Sequence, residues 1–250
     1  MNHVIKKILT TGFLLSVSAS LVACGSGSDN SSTGSGNGGE QTPAGDLPAK
    51  IQDAIDGPLS GLTQNVRDTL TYMYSEEGLA HDIYLNIYSL QPVKQLENIA
   101  KKSEVKHIDA MNQLARKYDL NMTQYPDTDI PYSIEGIGNG TYPVAQVQYL
   151  YNILYDKGIQ SQKDALGVGC MVEVVDITDL DDYIKTAQAS NASDVLTVFE
   201  FLRDGSYNHY WAFDKGLKNM GITEGCCSVP DALGYHFCHP EYPQNDQKND

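Results

Sequence analysis

Basic residues are few: 17 Lys and Arg stand against 32 Asp and Glu, a formal net charge of −15 over 250 residues. A nucleic-acid partner requires a basic face, so that class is excluded. Beyond the N-terminus no stretch is long and apolar enough to cross a bilayer. The chain has no Gly-rich phosphate loop, no dinucleotide fingerprint and no nucleophile–histidine–acid arrangement. No Cys-x-x-Cys pair occurs, which excludes a built-in rubredoxin-type electron donor. Self-similarity at solenoid periods is absent as well.

What is present begins with a leader. Lys6 and Lys7 precede an apolar or small stretch from Ile8 to Ser20, the layout of a secretory signal over residues 1–23. Its end, Leu21-Val22-Ala23-Cys24, resembles the bacterial lipobox, in which the cysteine is lipidated and becomes the new N-terminus. A linker is assigned to residues 24–60; over 25–46 it is Gly, Ser, Asn and Thr, too polar to offset its ordering entropy. The resulting expectation is an envelope lipoprotein that meets the bilayer through its acyl anchor alone. Gly25 carries no retention signal, which favours the outer membrane in a diderm. Four cysteines remain, Cys170, Cys226, Cys227 and Cys238, enough for two disulfides in three connectivities. Adjacent Cys226 and Cys227 should each pair elsewhere, with Cys170 and Cys238 as candidates. The other reading joins these cysteines to His236 and His239 as a second, soft-metal site, or leaves Cys170 as a thiol beside Glu173.

Residues 61–222 read as one all-α domain, and 223–250 as a Cys/His-containing tail whose polar, acidic end should fray. Apolar residues recur at three- and four-residue spacing in four long segments. The first runs from about Thr63 to Leu90 with the inward line Val66, Leu70, Met73, Glu77, Ala80, Tyr84, Ile87. The second, from Val93 to Tyr118, places Ala100, Glu104, His107, Met111 and Leu114 inward. The third begins at a Ser161–Asp164 capping pair and aligns Leu166, Gly169, Glu173, Asp176, Leu180. The fourth begins after Asn191-Ala192-Ser193 and aligns Val195, Phe199, Leu202, Ser206, His209, Phe213. The first and third connections are short. The second, over residues 119–142, is long, and a tyrosine-rich helix should follow at 143–157. Short, long, short predicts a four-helix bundle with one long crossover between helices 2 and 3.

Acids and histidines on the inward lines of all four segments are the centre of interest. In Glu104-x-x-His107 both side chains share one helix face, so the pair can bridge and cap metal ions. Glu77 and Glu173 supply lone acids from the first and third segments, and His209 a ligand from the fourth. The residue three before His209 is Ser206 rather than Glu, and Asp176, one turn from Glu173, is positioned to substitute. Four buried carboxylates (Glu77, Glu104, Glu173, Asp176) match two divalent cations in charge, and without them the cluster is costly. No Lys or Arg lies on the inward lines; Arg203 is the nearest internal counter-ion. Glu76 is expected to be solvated, and Glu97 to sit near the bundle end.

The segment Glu77-Gly78-Leu79-Ala80-His81-Asp82-Ile83-Tyr84 resembles the first-helix motif of rubrerythrin-type ferritin-like proteins. Ser103-Glu104-Val105-Lys106-His107 is similar to their second-helix motif, and Glu173-Val174-Val175-Asp176 to the paired acids of the third. Ser206-Tyr207-Asn208-His209 resembles the last-helix motif of an uncharacterised bacterial and archaeal branch of that superfamily, with the likeness spanning 62–217. Gly78, His81 and Ser206 depart from the better-known pattern. The resemblance implies two iron ions, or manganese, at Glu77, Glu104, His107, Glu173, Asp176 and His209. It also implies ferroxidase-like chemistry, or reactivity toward oxygen or peroxide. The other readings are a non-enzymatic metal-binding lipoprotein and a metal-free interaction scaffold.

Overall fold

The computed structural model describes residues 46–120, 140–142 and 145–244. The expected leader, Cys24, most of the tether, most of the long crossover and the acidic chain end lie outside the described residues. Within them the protein is all-α, with one isolated bridge, Ala232–Tyr235, and no other β pairing. No helix of the described residues is long and apolar enough to cross a membrane.

The order is α1 (Ala49–Asp56), α2 (Gln64–Tyr88), α3 (Lys94–Ile99), a π-helical turn (Ala100–Glu104), α4 (Val105–Lys117), α5 (Ala145–Gly158), α6 (Gln162–Ala189) and α7 (Ser193–Asn219). Thr63 caps α2 by accepting from Val66 N at 3.3 Å, and Ser161 caps α6 by accepting from Asp164 N at 3.1 Å. The helix expected at 143–157 is α5. The linker drawn to residue 60 is too long at its end: Leu47, Ile51 and Ile55 are buried, and α1 lies on α7 and α4. Four-residue spacing puts these three side chains on one face, and their burial offsets the ordering of a short helix.

The second segment is not one regular helix. Its π turn inserts a wider ring between α3 and α4. α2 packs against α3 and α4 on one side and α6 on the other, while α6 and α7 share the most extensive contact among the described helices. The core between them is apolar and aromatic, with Tyr84, Phe199, Phe213, Leu70, Met73, Ile83 and Met111 almost wholly enclosed. α5 leans on the outside of α2 and α6.

After α7 the chain folds back rather than hanging free. Phe237 and Cys226 are fully buried. Tyr210 of α7 donates to Phe237 O at 3.1 Å and accepts from His239 N at 3.0 Å. Disulfides join Cys170 to Cys226 and Cys227 to Cys238. The second metal-site reading of this region therefore fails, because all four thiols are consumed and Cys170 is no free thiol. His236 and His239 face Asp231 and Glu241 instead, at 2.8 and 2.7 Å.

Candidate metal centre

Five of the six predicted ligand residues converge. Glu77 comes from α2, Glu104 from the last residue of the π turn, His107 from the first turn of α4, Glu173 from α6 and His209 from α7. All five are buried, with relative exposures between 1% and 5%. They form two groups with ligand atoms close enough to share an ion, Glu77–Glu104–His107 and Glu104–Glu173–His209. Glu104 belongs to both. Its Oε2 lies 3.2 Å from His107 Nδ1, and its Oε1 lies 3.0 Å from His209 Nδ1. Glu77 Oε2 completes the first group at 3.0 Å from His107 Nδ1, and Glu173 Oε1 the second at 3.4 Å from His209 Nδ1. The two rings stack at 5.5 Å between centroids.

Supporting contacts set these side chains. Tyr84 donates to Glu173 Oε1, and Tyr84 itself rests on Phe213 at 5.3 Å. Ser103, within the π turn, sits 2.7 Å from His209 Nε2, which leaves Nδ1 as the nitrogen facing the carboxylates. A Cβ on Gly205 of α7 would collide with the His107 ring, so the bare glycine makes room for that imidazole. Gly169 does the same for Phe213.

The sixth residue, Asp176, stands apart from both groups: its Oδ2 accepts from Ser206 at 2.5 Å. Ser206, where the better-known pattern has Glu, thus holds a neighbouring acid. Arg203 is no counter-ion to the cluster, because it pairs outward with Asp181 at 2.7 Å. Glu97 pairs with Lys101 at 2.8 Å and takes no part. His81 pairs with Asp82 at 3.0 Å, away from both groups. Tyr207 packs against Tyr242, and Trp211 donates to Pro243 O, both off the ligand face. Glu76 corrects its expectation. Its Oε2 is shielded from solvent, and α2's neighbour α6 brings Asp179 and Asp176 near it. A single residue step from an inward glutamate does not carry the side chain clear of α6.

Without a bound cation the centre neutralises itself. Burial lowers the affinity of both imidazoles for protons, yet the facing carboxylates outweigh it: Glu173 and Glu104 raise His209 to about 10, and Glu77 and Glu104 push His107 well up. Burial would raise Glu104, but His209 and then His107 hold it far below the usual carboxylate range. Burial raises Glu77 to about 7 against the pull of His107. Asp176, desolvated and beside Glu77 and Glu173, is raised well above its ordinary value. Glu77 Oε1 is buried with no hydrogen-bond partner, and His209 Nδ1 has none of good geometry despite its close oxygens. Buried polar atoms left so are costly unless they gain a partner, which a cation would be for the Glu77 oxygen and, once the imidazolium gives up its proton, for His209 Nδ1. The donors are three carboxylates and two imidazoles converging in a closed interior, which fits a metal pair.

Comparison with known proteins places this centre inside a shared region. A protein of Methanocaldococcus jannaschii described as uncharacterized protein MJ0754 is 35% identical over 164 residues, 66% of this chain and 81% of that one. The crystal structure of hypothetical protein MJ0754 from Methanococcus jannaschii DSM 2661 aligns with a TM-score of 0.58 at 34% identity, covering 66% of this chain and 86% of that one. Residues 66–229, which hold all five converging Glu and His residues, match the family described as uncharacterized protein domain DUF2202. The chain belongs to that DUF2202 family.

Proposed function

We propose that this protein is an envelope-anchored, ferritin-like metalloprotein whose four long helical segments hold a metal pair, iron by preference and manganese second. Glu77 and His107 would hold one ion, Glu173 and His209 the other, and Glu104, which belongs to both groups, would serve both. One observation carries the reading: each Glu104 oxygen faces a different Glu–His pair. Carboxylate-rich ligation with two imidazoles suits iron or manganese over copper or structural zinc. Such ions, when bound, supply redox chemistry toward oxygen or peroxide, and the activity proposed is ferroxidase or peroxide-reducing. The chain's own residues do the remaining work. Tyr84 and Ser103 hold Glu173 and His209 in place, Phe213 and Met111 keep bulk water out, and both imidazoles release a proton to become ligands. Lipidation at Cys24 and the tether that follows would hold the domain outside the cytoplasm.

Metal analysis of protein purified from its native compartment is the test. Two equivalents of iron or manganese are expected, and Glu104→Ala should retain at most one. A Glu104→Ala variant with its full metal content would sink the assignment. Oxygen uptake on adding ferrous iron separates a redox protein from one that only stores metal. A second reading has its own support: the two imidazolium rings offset two of the three acids and burial drives Glu77 toward the neutral form, raising it to about 7, so a metal-free scaffold is electrostatically viable. Protein isolated without metal and unable to bind any would establish it.

A further inference from the structure

Asp176 lies one turn along α6 from Glu173, a spacing that sets Cβ atoms about 5–6 Å apart, yet it belongs to neither group of converging ligands. It is 9% exposed, against 1% to 5% for the five residues that converge. It also lines the groove between α2, α5 and α6. Asp176 therefore stands between the enclosed centre and the water outside.

Its hydrogen-bond partner serves two protonation states. Ser206 Oγ lies 2.5 Å from Asp176 Oδ2 and 3.1 Å from Leu202 O, and a hydroxyl has a single hydrogen. When Asp176 is ionised, Ser206 donates to it. When Asp176 carries a proton, it donates to Ser206 Oγ, and the hydroxyl turns to Leu202 O. Only a hydrogen rotates between the two arrangements, and Asp176 keeps a partner in both. A buried carboxyl that changes charge is costly where one state lacks a hydrogen bond, and here neither does.

The surroundings favour the neutral form at rest. Glu77 and Glu76 face Asp176 from α2, Glu173 from α6 and Glu104 from the π turn, while α7 presents the uncharged Ser206. No Lys or Arg shares the groove lining. Burial and then the neighbouring acids both oppose ionisation.

Resting on the redox reading of the centre, we propose that Asp176 is its proton donor, giving up the Oδ2 hydrogen to peroxide reduced there and reloading from solvent along the groove. Reduction of hydrogen peroxide to two waters breaks the O–O bond and consumes two electrons and two protons. Two ferrous ions, each becoming ferric, supply the electrons. Asp176 supplies one proton and solvent the other. As Oδ2 loses its hydrogen, the Ser206 hydroxyl turns from Leu202 O to the new carboxylate.

Infrared difference spectra between the metal-free protein and Asp176→Asn at neutral pH test the proton itself. A carboxylic-acid carbonyl band present in the protein and missing from the variant is expected; a carboxylate band in its place overturns the proposal. Asp176→Asn should keep two equivalents of metal and its melting temperature, since an amide also donates to Ser206 Oγ. Its rate of peroxide reduction by the ferrous-loaded protein should fall about 100-fold, within the range a general acid contributes. The decline of the parent's rate with rising pH should vanish in that variant, and Asp176→Glu should recover most of the loss. Metal lost from Asp176→Asn would make Asp176 a ligand, and an unchanged rate would make it inert; either overturns the proposal. A parent that neither binds iron nor reduces peroxide fails the redox reading and the donor role with it. A parent that does both beside an unimpaired Asp176→Asn fails this inference alone.

Discussion

Glu104 and its two histidines determine how the centre responds to pH. Folded His209 holds its proton up to about 10 against an ordinary 6.5, and folded Glu77 up to about 7 against 4.5. Both bind protons more tightly folded than unfolded. Their stabilising contribution is complete below the ordinary values and disappears as pH climbs through about 7 for Glu77 and about 10 for His209. Glu104 acts in the opposite sense, and its contribution is lost only in strong acid. Chelator-treated protein should therefore melt at a lower temperature at pH 9 than at pH 6. A metal ion competes for the same lone pairs, so the rise in melting temperature on adding metal should grow over that interval. A metal-induced shift that shrinks from pH 6 to pH 9 would refute the histidine assignment. Gly205→Ala should drive the His107 ring from its place, costing about 1–3 kcal/mol by overpacking and emptying the Glu77–His107 position. Equilibrium unfolding and metal counting read both effects. That Glu77, Glu104, His107, Glu173 and His209 face inward was legible from helical spacing. The exclusion of Asp176 was not, because the Ser206 hydroxyl that captures it lies 30 residues away on another helix.

Among the elements, the π turn is the one with a direct consequence for the site. It lets α3 bury Leu96 and Ile99 while Glu104 and His107 still face inward. In a regular helix each residue turns the chain by about 100°, so removing one residue from the turn rotates one side out of register. Deletion of Lys102 should leave helical content near that of the parent by circular dichroism. It should abolish metal binding or expose Leu96, since both faces cannot be kept inward. Metal content equal to the parent's, with an unchanged melting temperature, would show that the turn positions nothing. Periodicity did reveal the helix from Val93 to Tyr118, but not its interruption. A three- and four-residue apolar pattern tolerates one extra residue, and only packing against α2 on one side and α7 on the other selects where it is absorbed. The helix Ala49–Asp56 was missed because eight residues are too few for periodicity to stand out. Its formation depends on the surface that α7 and α4 offer Ile51 and Ile55.

Taken whole, the molecule is tied to itself at its C-terminal side. The Cys170–Cys226 bond closes a separation of 56 residues, spanning α6 and α7. Chain-entropy arguments give such a closure about 4 kcal/mol, and loss of a native disulfide commonly costs about 2–5 kcal/mol. The double variant Cys170→Ala, Cys226→Ala should lower unfolding stability by that amount in urea. It should also loosen the tail that carries Phe237, which protection from proteolysis would report. Unchanged stability would mean that packing of the tail alone suffices. At the other end, Cys24→Ser should move the protein from the membrane fraction to the soluble fraction of the envelope. Its persistence with membranes would remove the lipid anchor from the proposed function.

Helical periodicity and the placement of acids and histidines on apolar lines were enough to specify an all-α protein with convergent Glu and His side chains. Those features are local: they follow from residues three and four apart on one chain segment, where the helix itself imposes proximity. Which cysteines pair, where Arg203 and Glu76 point, and that Glu104 divides its two oxygens between His107 and His209 were decided by the tertiary structure. Each of these depends on atoms from different helices meeting at about 3 Å, a distance governed by how side chains fill the space between helices rather than by their order along the chain.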